Sequence, residues 1–322
     1  MTPEMSVLLV TDVMDSVDGV LASFRRQSIA DRLELVLATA PDTPVPDDVG
    51  AGFASATVLR VDNPYDISAA RAKCVRAATA PFVAVGETHC IPEHDWCEVL
   101  LAAFSDPAVA VAGSRIVCAN PQTTLSQAAH LMDYGRWAHG SRGPRRHLPA
   151  HNVAYRRDLL LAVGEGLSDE LDVDAGLTDR FLADGRLLLF QPEARTHHLN
   201  ISRARTFLRE RFVNGRTYGG HRALGWRPRR RLAYGLAWPL IPVVRFVRLI
   251  PIARAADVRL RAVPAFALAL VLASAGEGIG YLFGPGEAPA LRHRMEIEKA
   301  RHVRRGEATA ALELVLALHE PS

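Results

Sequence analysis

Cysteine is scarce in this chain, and its net charge is small. The 322 residues include four cysteines and carry a formal net charge of +3 at pH 7. Four cysteines in a chain of this length do not make the disulfide framework of a small secreted domain. A charge so close to balance creates no global field for nucleic acid, so a nucleic-acid partner is not expected.

The sequence also lacks a leader pattern and an uninterrupted membrane-spanning run. The opening, MTPEMSVLLVTD, has no basic segment before a long apolar one, so no signal peptide is predicted and the active part is expected in the cytosol. Two apolar stretches, residues 232–252 and 263–283, contain Arg245, Arg248 and Glu277. Neither is predicted to be a simple span of about 20 apolar residues.

The chain does have a regular alternation of apolar runs and segments with helical spacing. Strands are predicted where apolar residues are continuous, and helices where they recur every three or four residues. Continuous apolar strands that alternate with helices indicate an α/β fold with a mostly parallel sheet. The predicted strands are 6–10, 33–38, 56–61, 82–85, 109–117, 152–155 and 187–190, and the predicted helices are 17–27, 68–79, 96–104, 157–164 and 177–182.

Ligands of such sheets bind at the carboxyl ends of the strands, where this chain has polar residues. Glu87 and His89 follow the strand at 82–85, and Gly86 is expected to let the backbone approach a ligand closely. Alternate side chains that leave a strand point the same way, so these two could converge on one cation. A carboxylate and an imidazole suit Mn²⁺, Zn²⁺ or Fe²⁺ better than Mg²⁺, and such a cation would hold a diphosphate. A polar loop that closes a strand is the alternative.

Two further segments have a distinctive composition. Residues 119–150 are polar and are predicted to form a long flap over the site. Basic residues lie before, between and after the two apolar stretches, beginning at 227–231. Because a spanning hairpin would place the middle basic loop outside, in-plane or re-entrant helices on an anionic, cytoplasmic membrane surface are favoured. A pair of ordinary buried helices is the alternative.

Several stretches, in order, resemble the family 2 inverting glycosyltransferases of GT-A fold. They are SVLLVTD, VLASFRRQSIADRLELVLAT, DISAARAKCVRAATAPFVAVGETH, HNVAYRRDLLLAVG and LDVDAGLTDRFLADGRLLLFQPEARTHH. The resemblance covers about residues 5–225 and implies a GT-A (Rossmann-like), mostly parallel sheet with helices on both faces in a domain at 1–226. The basic, amphipathic helical region at 227–322 is predicted to be membrane-associated from its apolar stretches and basic flanks. The resemblance also implies a nucleotide-sugar donor, a glycan or lipid-linked acceptor, and Mn²⁺ or Mg²⁺ as cofactor.

The resemblance carries over to individual residues. Glu87-x-His89 stands where the family has its metal-binding Asp-x-Asp, and His197 or its neighbour His198 stands where a histidine lies near the metal, with His197 taken as the third ligand. Asp174, or nearby Asp172, would be the base that takes the acceptor proton. A charge favoured by a helix N-terminus is the alternative role for Asp174.

The donor ligands that the resemblance implies are Thr11, Asp12, Asp66, Arg71, Asn152, Arg211 and Arg216. Asp66 has a second reading as a helix cap. Arg211 and Arg216 have a second reading as part of a solvated basic helix near lipid head groups.

A glycosyltransferase at the cytoplasmic face of a membrane is therefore the leading interpretation. The departures from the family at 87–89 and 173–174 leave open a catalytically inactive, glycosyltransferase-like binding or scaffold protein at the membrane. A nucleotidyltransferase would need a glycine-rich, basic loop after the first strand, and TDVMDSVDG is not one.

Overall fold

The computed structural model describes residues 2–172, 176–255 and 260–318, without the side chains of Asp172 and Ala255. The chain forms two compact units. The sheet unit draws on residues 1–117, 140–198 and 309–322, and the helical unit on residues 118–139 and 199–308. The domain boundary expected at residue 226 stays a prediction. Residues 118–139 and 199–226 belong to the helical unit, together with the C-terminal helices.

Nine strands of the described residues form one sheet. They are β1 (Met5–Val10), β2 (Leu33–Thr39), β3 (Ser55–Arg60), β4 (Phe82–Val85), β5 (Cys90–Pro92), β6 (Val109–Cys118), β7 (Gly143–Pro144), β8 (Val153–Arg156) and β9 (Leu187–His198). The strand order is β3-β2-β1-β4-β8-β6-β9-β5, with β7 beside β9.

The direction of the strands follows from their pairing. Strands β1 to β4 run parallel to one another. Strand β8 is antiparallel to β4 and β6 is antiparallel to β8, so β6 runs in the direction of the first four. Five strands therefore point the same way, which confirms the predicted mostly parallel α/β sheet.

The helices are numbered along the described residues. They are α1 (Asp18–Arg25), α2 (Ile67–Ala77), α3 (Trp96–Ala102), α4 (Thr124–Tyr134), α5 (Arg157–Leu161), α6 (Leu167–Asp172), α7 (Gly176–Ala183), α8 (Ala204–Arg222), α9 (Pro228–Leu236), α10 (Ile241–Ala255), α11 (Val263–Phe283), α12 (Ala288–Ile297) and α13 (Glu307–Ala317).

The core of the sheet unit explains why its strands are continuously apolar. Every residue of β1 and of β2 is buried, as expected for central strands covered on both faces. Phe24 of α1 and Trp96 of α3 meet edge to face in this core, with ring centroids 6.0 Å apart. The apolar face of α1 therefore supplies the layer that covers these strands.

Two elements differ from the sequence prediction. The segment predicted as a flap, residues 119–150, contains α4 and β7. Strand β9 was expected to end near Pro192 but continues to His198. Pro192 falls between the residues that pair with β7, at 189–190, and those that pair with β5, at 196–198. Its missing N–H therefore leaves both of these pairings intact.

The helical unit is built around a close contact between α8 and α11. A Cβ atom on Gly215 would lie 1.9 Å from the carbonyl oxygen of Ala273, and one on Gly276 would lie 2.1 Å from that of Phe212. Only glycine allows two backbones to approach this closely. Phe207, Phe266 and Leu270 form a buried apolar cluster beside this contact.

One helical segment among the described residues, Leu260–Phe283, is long and apolar enough to cross a membrane, and half of its most apolar window is buried by the rest of the chain. The pair Pro228–Leu236 and Trp238–Arg254 is also apolar enough when taken together, but it bends by 44°. Length and composition thus allow one span or two, where the sequence analysis expected no simple span.

Candidate active site

The site begins where β4 ends. Gly86 follows the strand, and its N–H donates to the carbonyl of Leu8 in β1 at 3.0 Å. A Cβ atom at this position would lie 2.8 Å from Cδ2 of Leu9. A larger residue would have to displace the end of the Leu9 side chain, so the glycine favours close packing against β1, which is a different reason from the ligand approach expected from the sequence.

Residues 87–89 form a turn between β4 and β5 and do not extend the strand. The N–H of Cys90 donates to the carbonyl of Glu87 at 3.3 Å, which folds the turn back on itself. The carboxylate Oε2 of Glu87 lies 3.8 Å from Nε2 of His89. The two side chains meet as expected. They are brought together by the turn, and not by the alternation of side chains along a strand that the sequence analysis assumed.

The pairing of β5 with β9 adds two more side chains. Cys90 is the register partner of His198. Nε2 of His198 lies 3.1 Å from Nε2 of His89, and Sγ of Cys90 lies 3.2 Å from Oε2 of Glu87. One donor atom from each residue lies within 4.8 Å of the others, and all four side chains are buried. We call Glu87, His89, Cys90 and His198 the donor cluster.

Asn152, directly before β8, contacts the donor cluster. Its Nδ2 donates to Oε2 of Glu87 at 2.8 Å. Its backbone has a φ of 56°, a left-handed conformation that asparagine tolerates better than most residues. Its N–H donates to the carbonyl of Val85 at 2.7 Å, and its carbonyl accepts from the hydroxyl of Ser114 at 2.6 Å. The backbone is therefore held from both sides in this conformation.

The carboxylate of Glu87 is surrounded by basic side chains. Nε2 of His151 lies 3.5 Å from its Oε1. Burial disfavours the charged carboxylate, but the basic groups nearby outweigh it and hold the pKa of Glu87 well below its usual range. The basic groups are those of His151, His89, His198 and Arg71. Glu87 is thus a buried anion facing a ring of cationic or metal-ligating groups.

The donor cluster fits a divalent transition-metal ion. A carboxylate oxygen, two imidazole nitrogens and a sulfur are the ligand types that such ions bind, while Mg²⁺ prefers oxygen alone. Two nitrogens on one tetrahedral ion would stand about 3.3 Å apart. The Nε2 atoms of His89 and His198 are 3.1 Å apart, which is close to that separation.

The two adjacent histidines of β9 face opposite sides. Nε2 of His197 lies 2.8 Å from Oε1 of Glu93, and His197 is not part of the donor cluster. The structure therefore brings His198 to Glu87 and His89, where the sequence analysis named His197. Because alternate residues of a strand face the same side, only one of two neighbours can point at the site. The sequence did not indicate which one.

Three of the residues implied to bind the nucleotide-sugar donor lie at the expected strand and helix ends. Oγ1 of Thr11 accepts from the N–H of Val13 at 3.0 Å, and Asp12 accepts from the hydroxyl of Thr43 at 2.6 Å. Asp66 accepts from the N–H of Ala69 at 3.1 Å and so caps α2. The cap is the alternative role considered for Asp66, and donor binding by all three stays a prediction.

The implied arginine ligands have different surroundings. Nη2 of Arg71 lies 3.4 Å from the carbonyl of Gly86, so Arg71 reaches the strand end beside Glu87. In the helical unit, Arg211 is 1% exposed and both its Nη atoms donate to Asp133 at 2.8 Å. Arg211 also pairs with Glu210, which favours a structural role over phosphate binding or a solvated face. Arg216 lies 3.3 Å from the carbonyl of Gly284.

The implied base cannot be placed in this geometry. Asp174 lies outside the described residues, and so does the side chain of Asp172, whose backbone ends α6. Two residues that the structure adds to the site, Cys90 and His151, were not among the predicted ligands; a zinc site of Cys90 with His89, His94 and Cys97 was disfavoured because their spacing does not fit a closed site. Their only signal in the sequence was their position, one residue after His89 and one before Asn152.

Part of the chain matches a known protein family. Residues 15–164 match the family model described as glycosyl transferase family 2. This segment of the chain is therefore similar to a glycosyl transferase family 2 domain. Among curated proteins, no match to the chain was found.

Two solved structures of low identity are similar to the chain. One is GalNAc-T7 with UDP, GalNAc and Mn²⁺, at 14% identity and a TM-score of 0.44, over 61% of this chain and 43% of that one. The other is the mannosyltransferase PcManGT from Pyrobaculum calidifontis in complex with GDP-Man and Mn²⁺, at 15% identity and a TM-score of 0.47, over 99% of this chain and 86% of that one. The chain thus spans less than half of the GalNAc-T7 chain.

Proposed function

We propose that the protein transfers a sugar from a nucleotide-sugar donor to a hydroxyl of a glycan or lipid-linked acceptor, with inversion, at the cytoplasmic face of an anionic membrane. The observation that supports this most is the donor cluster, of which Glu87, His89 and Cys90 follow β4 within the segment that matches the family 2 model. It occupies the position at which the resemblance implies the metal site.

The donor cluster would hold a divalent cation, with Mn²⁺ favoured over Mg²⁺ because half of the four ligands are imidazoles. Such a cation supplies positive charge that stabilises the departing diphosphate. Glu87 remains charged at neutral pH because its pKa is held low. Arg71 beside the strand end adds a second positive charge next to the same location.

The chemistry assigned to the chain is a single displacement. Asp174 takes the proton of the acceptor hydroxyl as its oxygen bonds to the anomeric carbon, while the bond from that carbon to the diphosphate oxygen breaks. Attack from the side opposite the leaving group inverts the anomeric centre. This assignment rests on the resemblance of the segment 171–198, and Asp172 is the substitute base.

The helical unit supports the membrane part of the proposal. Leu240, Val243 and Val247 are each more than 60% exposed, and they form an apolar stripe at helical spacing on and before α10. Exposed arginines, including Arg230 and Arg248, lie along the same segment. An exposed apolar stripe bordered by arginines fits the head-group region of an anionic membrane better than bulk water.

The proposal is tested by a screen of nucleotide sugars with the purified full-length chain, in Mn²⁺, Mg²⁺ or chelator. We expect release of the nucleotide product with at least one donor, faster in Mn²⁺ than in chelator. His198→Ala is expected to lose more activity than His197→Ala, although the two residues are neighbours. A chain that binds a nucleotide but turns over no donor under any condition would instead support the inactive, scaffold reading.

A further inference from the structure

Cys90 is the member of the donor cluster that neither the sequence analysis nor the resemblance assigns. It is 2% exposed and lies on β5, beside His198 of β9. Its sulfur is 3.2 Å from Oε2 of Glu87 and 3.2 Å from Nδ2 of Asn152. The thiol therefore faces the same point as the carboxylate and the two imidazoles.

We propose that Cys90 is a thiolate ligand, so that the site binds a borderline or soft transition-metal ion through one sulfur, two nitrogens and one oxygen. The proposal rests on the cation site of the proposed function and specifies its ion class, and a diphosphate oxygen would then add a fifth ligand to the ion. Sulfur ligands favour ions such as Zn²⁺, Co²⁺ and Fe²⁺ and disfavour Mg²⁺. The thiol proton leaves to solvent as the metal–sulfur bond forms.

The separations of the donor atoms support this ligand set. Around a tetrahedral ion with usual bond lengths, nitrogen, oxygen and sulfur donors stand about 3.3 to 3.6 Å apart. The Nε2 atoms of the two histidines are 3.1 Å apart, and Oε2 of Glu87 lies 3.8 and 3.9 Å from them. Shifts of a few tenths of an ångström would bring these three atoms to the expected separations. The sulfur of Cys90 is 3.2 Å from Oε2 of Glu87 and within 4.8 Å of both nitrogens.

The charges of the cluster support it as well. One carboxylate and one thiolate neutralise a divalent ion, and the two imidazoles bind as neutral ligands. The complete site then has no net charge, which suits side chains that are all less than 10% exposed. A divalent ion held by Glu87 and the histidines alone would leave one positive charge buried.

Asn152 supplies the contact expected around such a ligand set. Its Nδ2 lies within hydrogen-bond distance of both the carboxylate of Glu87 and the sulfur of Cys90. Donors of this kind orient metal ligands and stabilise their deprotonated forms. The buried amide therefore favours the ionised state of both anionic ligands.

The experiment is a titration of the chelator-treated full-length protein with Co²⁺, followed by absorption and without any nucleotide sugar. We expect a near-ultraviolet sulfur-to-cobalt charge-transfer band and the intense visible bands of a tetrahedral site, unaffected by excess Mg²⁺. Cys90→Ser should lose the charge-transfer band. Its affinity for Co²⁺ should fall by more than about 100-fold, because loss of a group that only contacts a ligand costs roughly 10- to 100-fold. Cys118→Ser, which lies outside the donor cluster, is the matched control and should keep the band.

Cys90→Asp adds a check on folding. It offers a carboxylate in place of the thiolate, so it should still bind a divalent ion, with no charge-transfer band and a preference shifted toward Mn²⁺. The proposal is overturned if wild-type protein binds Co²⁺ without the band, if the band persists in Cys90→Ser, or if no Co²⁺ binds. Because no nucleotide sugar is present, these outcomes are independent of whether sugar transfer is observed.

Discussion

Asn152 shows at the scale of one residue how backbone strain and a polar contact are combined. Its left-handed backbone aims its amide at Glu87 and Cys90. Asn152→Gly removes the amide but keeps the backbone conformation without cost, whereas Asn152→Ala removes the amide and adds about 1–2 kcal/mol of backbone strain. Both variants should bind a divalent ion about 10- to 100-fold more weakly than the wild type. The alanine variant should in addition be less stable than the glycine variant.

The measurements for these variants are a Co²⁺ or Mn²⁺ titration and chemical denaturation of the full chain. Equal stability of the alanine and glycine variants would contradict the strain at residue 152. Ion affinity unchanged in both would contradict the positioning of Glu87 by the amide.

His130 on α4 makes the stability of the protein depend on pH. Burial lowers the pKa of His130 from 6.5 to about 4, an effect that the nearby carboxylate of Asp133 opposes only in part. Above pH 6.5 the imidazole is neutral in both folded and unfolded chains. As the pH falls toward 4, the unfolded chain takes up the proton first, so folding is destabilised by about 2 kcal/mol near pH 5.

His130→Gln should remove this dependence. Between about pH 7.5 and about pH 5 the wild-type protein is expected to lose about 2 kcal/mol more free energy of unfolding than the variant. Denaturant titrations at the two pH values measure the difference. Parallel losses in wild type and variant would show that His130 takes up its proton equally in both states.

At this scale the sequence predicted where the site lies better than it predicted which residues form it. Glu87 and His89 were found because polar residues directly follow an apolar strand. His198, Cys90 and His151 depend on the pairing of β5 with β9 and on the entry into β8, contacts that are distant in sequence. The sequence could name His198 only as the alternative to His197, and it could not show which side chains reach Glu87.

At the scale of secondary structure elements, the contact between α8 and α11 is the most sensitive to substitution. Gly215→Ala would place a Cβ atom 1.9 Å from the carbonyl oxygen of Ala273, a backbone atom that no side-chain rotation can move. The helices must separate, which should lower the free energy of unfolding by roughly 1–3 kcal/mol or more. Denaturation of the full chain measures this loss.

Gly166→Ala is the matched control for this substitution. Nothing lies within 4 Å of a Cβ atom built on Gly166, so this variant should unfold within about 0.5 kcal/mol of the wild type. A Gly215→Ala protein as stable as Gly166→Ala would contradict the close approach of the two helices.

The elements themselves were predicted well where apolar periodicity is strong. Strand β4 has the predicted bounds, and β1, β2 and β3 lie within one residue of them. Helix α4 was missed because the segment around it is rich in polar residues and glycine. Much of the buried surface of the helix is itself polar, including Ser126, Gln127 and His130. The extension of β9 was missed because a proline normally marks a strand end.

At the scale of the whole molecule, the proposed membrane contact predicts a specific surface. The full-length protein should bind vesicles that contain anionic lipid more strongly than neutral vesicles, because each arginine near the surface contributes about 1 kcal/mol. Val247→Asp places a charge in the exposed apolar stripe and should weaken vesicle binding by about tenfold or more. Cosedimentation with vesicles measures both effects.

Leu161→Asp is the control for the membrane prediction. Leu161 is also an exposed apolar residue, at 38% exposure, but it lies on α5 of the sheet unit. Its variant should bind vesicles like the wild type. Equal weakening by both substitutions, or no preference of the wild type for anionic vesicles, would remove the support for this docking surface.

The central claim is that the polar turn after β4 binds a cation for sugar transfer. The most direct measurement is the rate of transfer from a nucleotide sugar, with and without Mn²⁺, for wild type, Glu87→Gln and Glu93→Gln. Glu93 contacts His197 outside the donor cluster and serves as the control. The account predicts a loss of about 10²-fold or more for Glu87→Gln in Mn²⁺ and a much smaller loss for Glu93→Gln. Transfer that persists undiminished in chelator and in Glu87→Gln would contradict it.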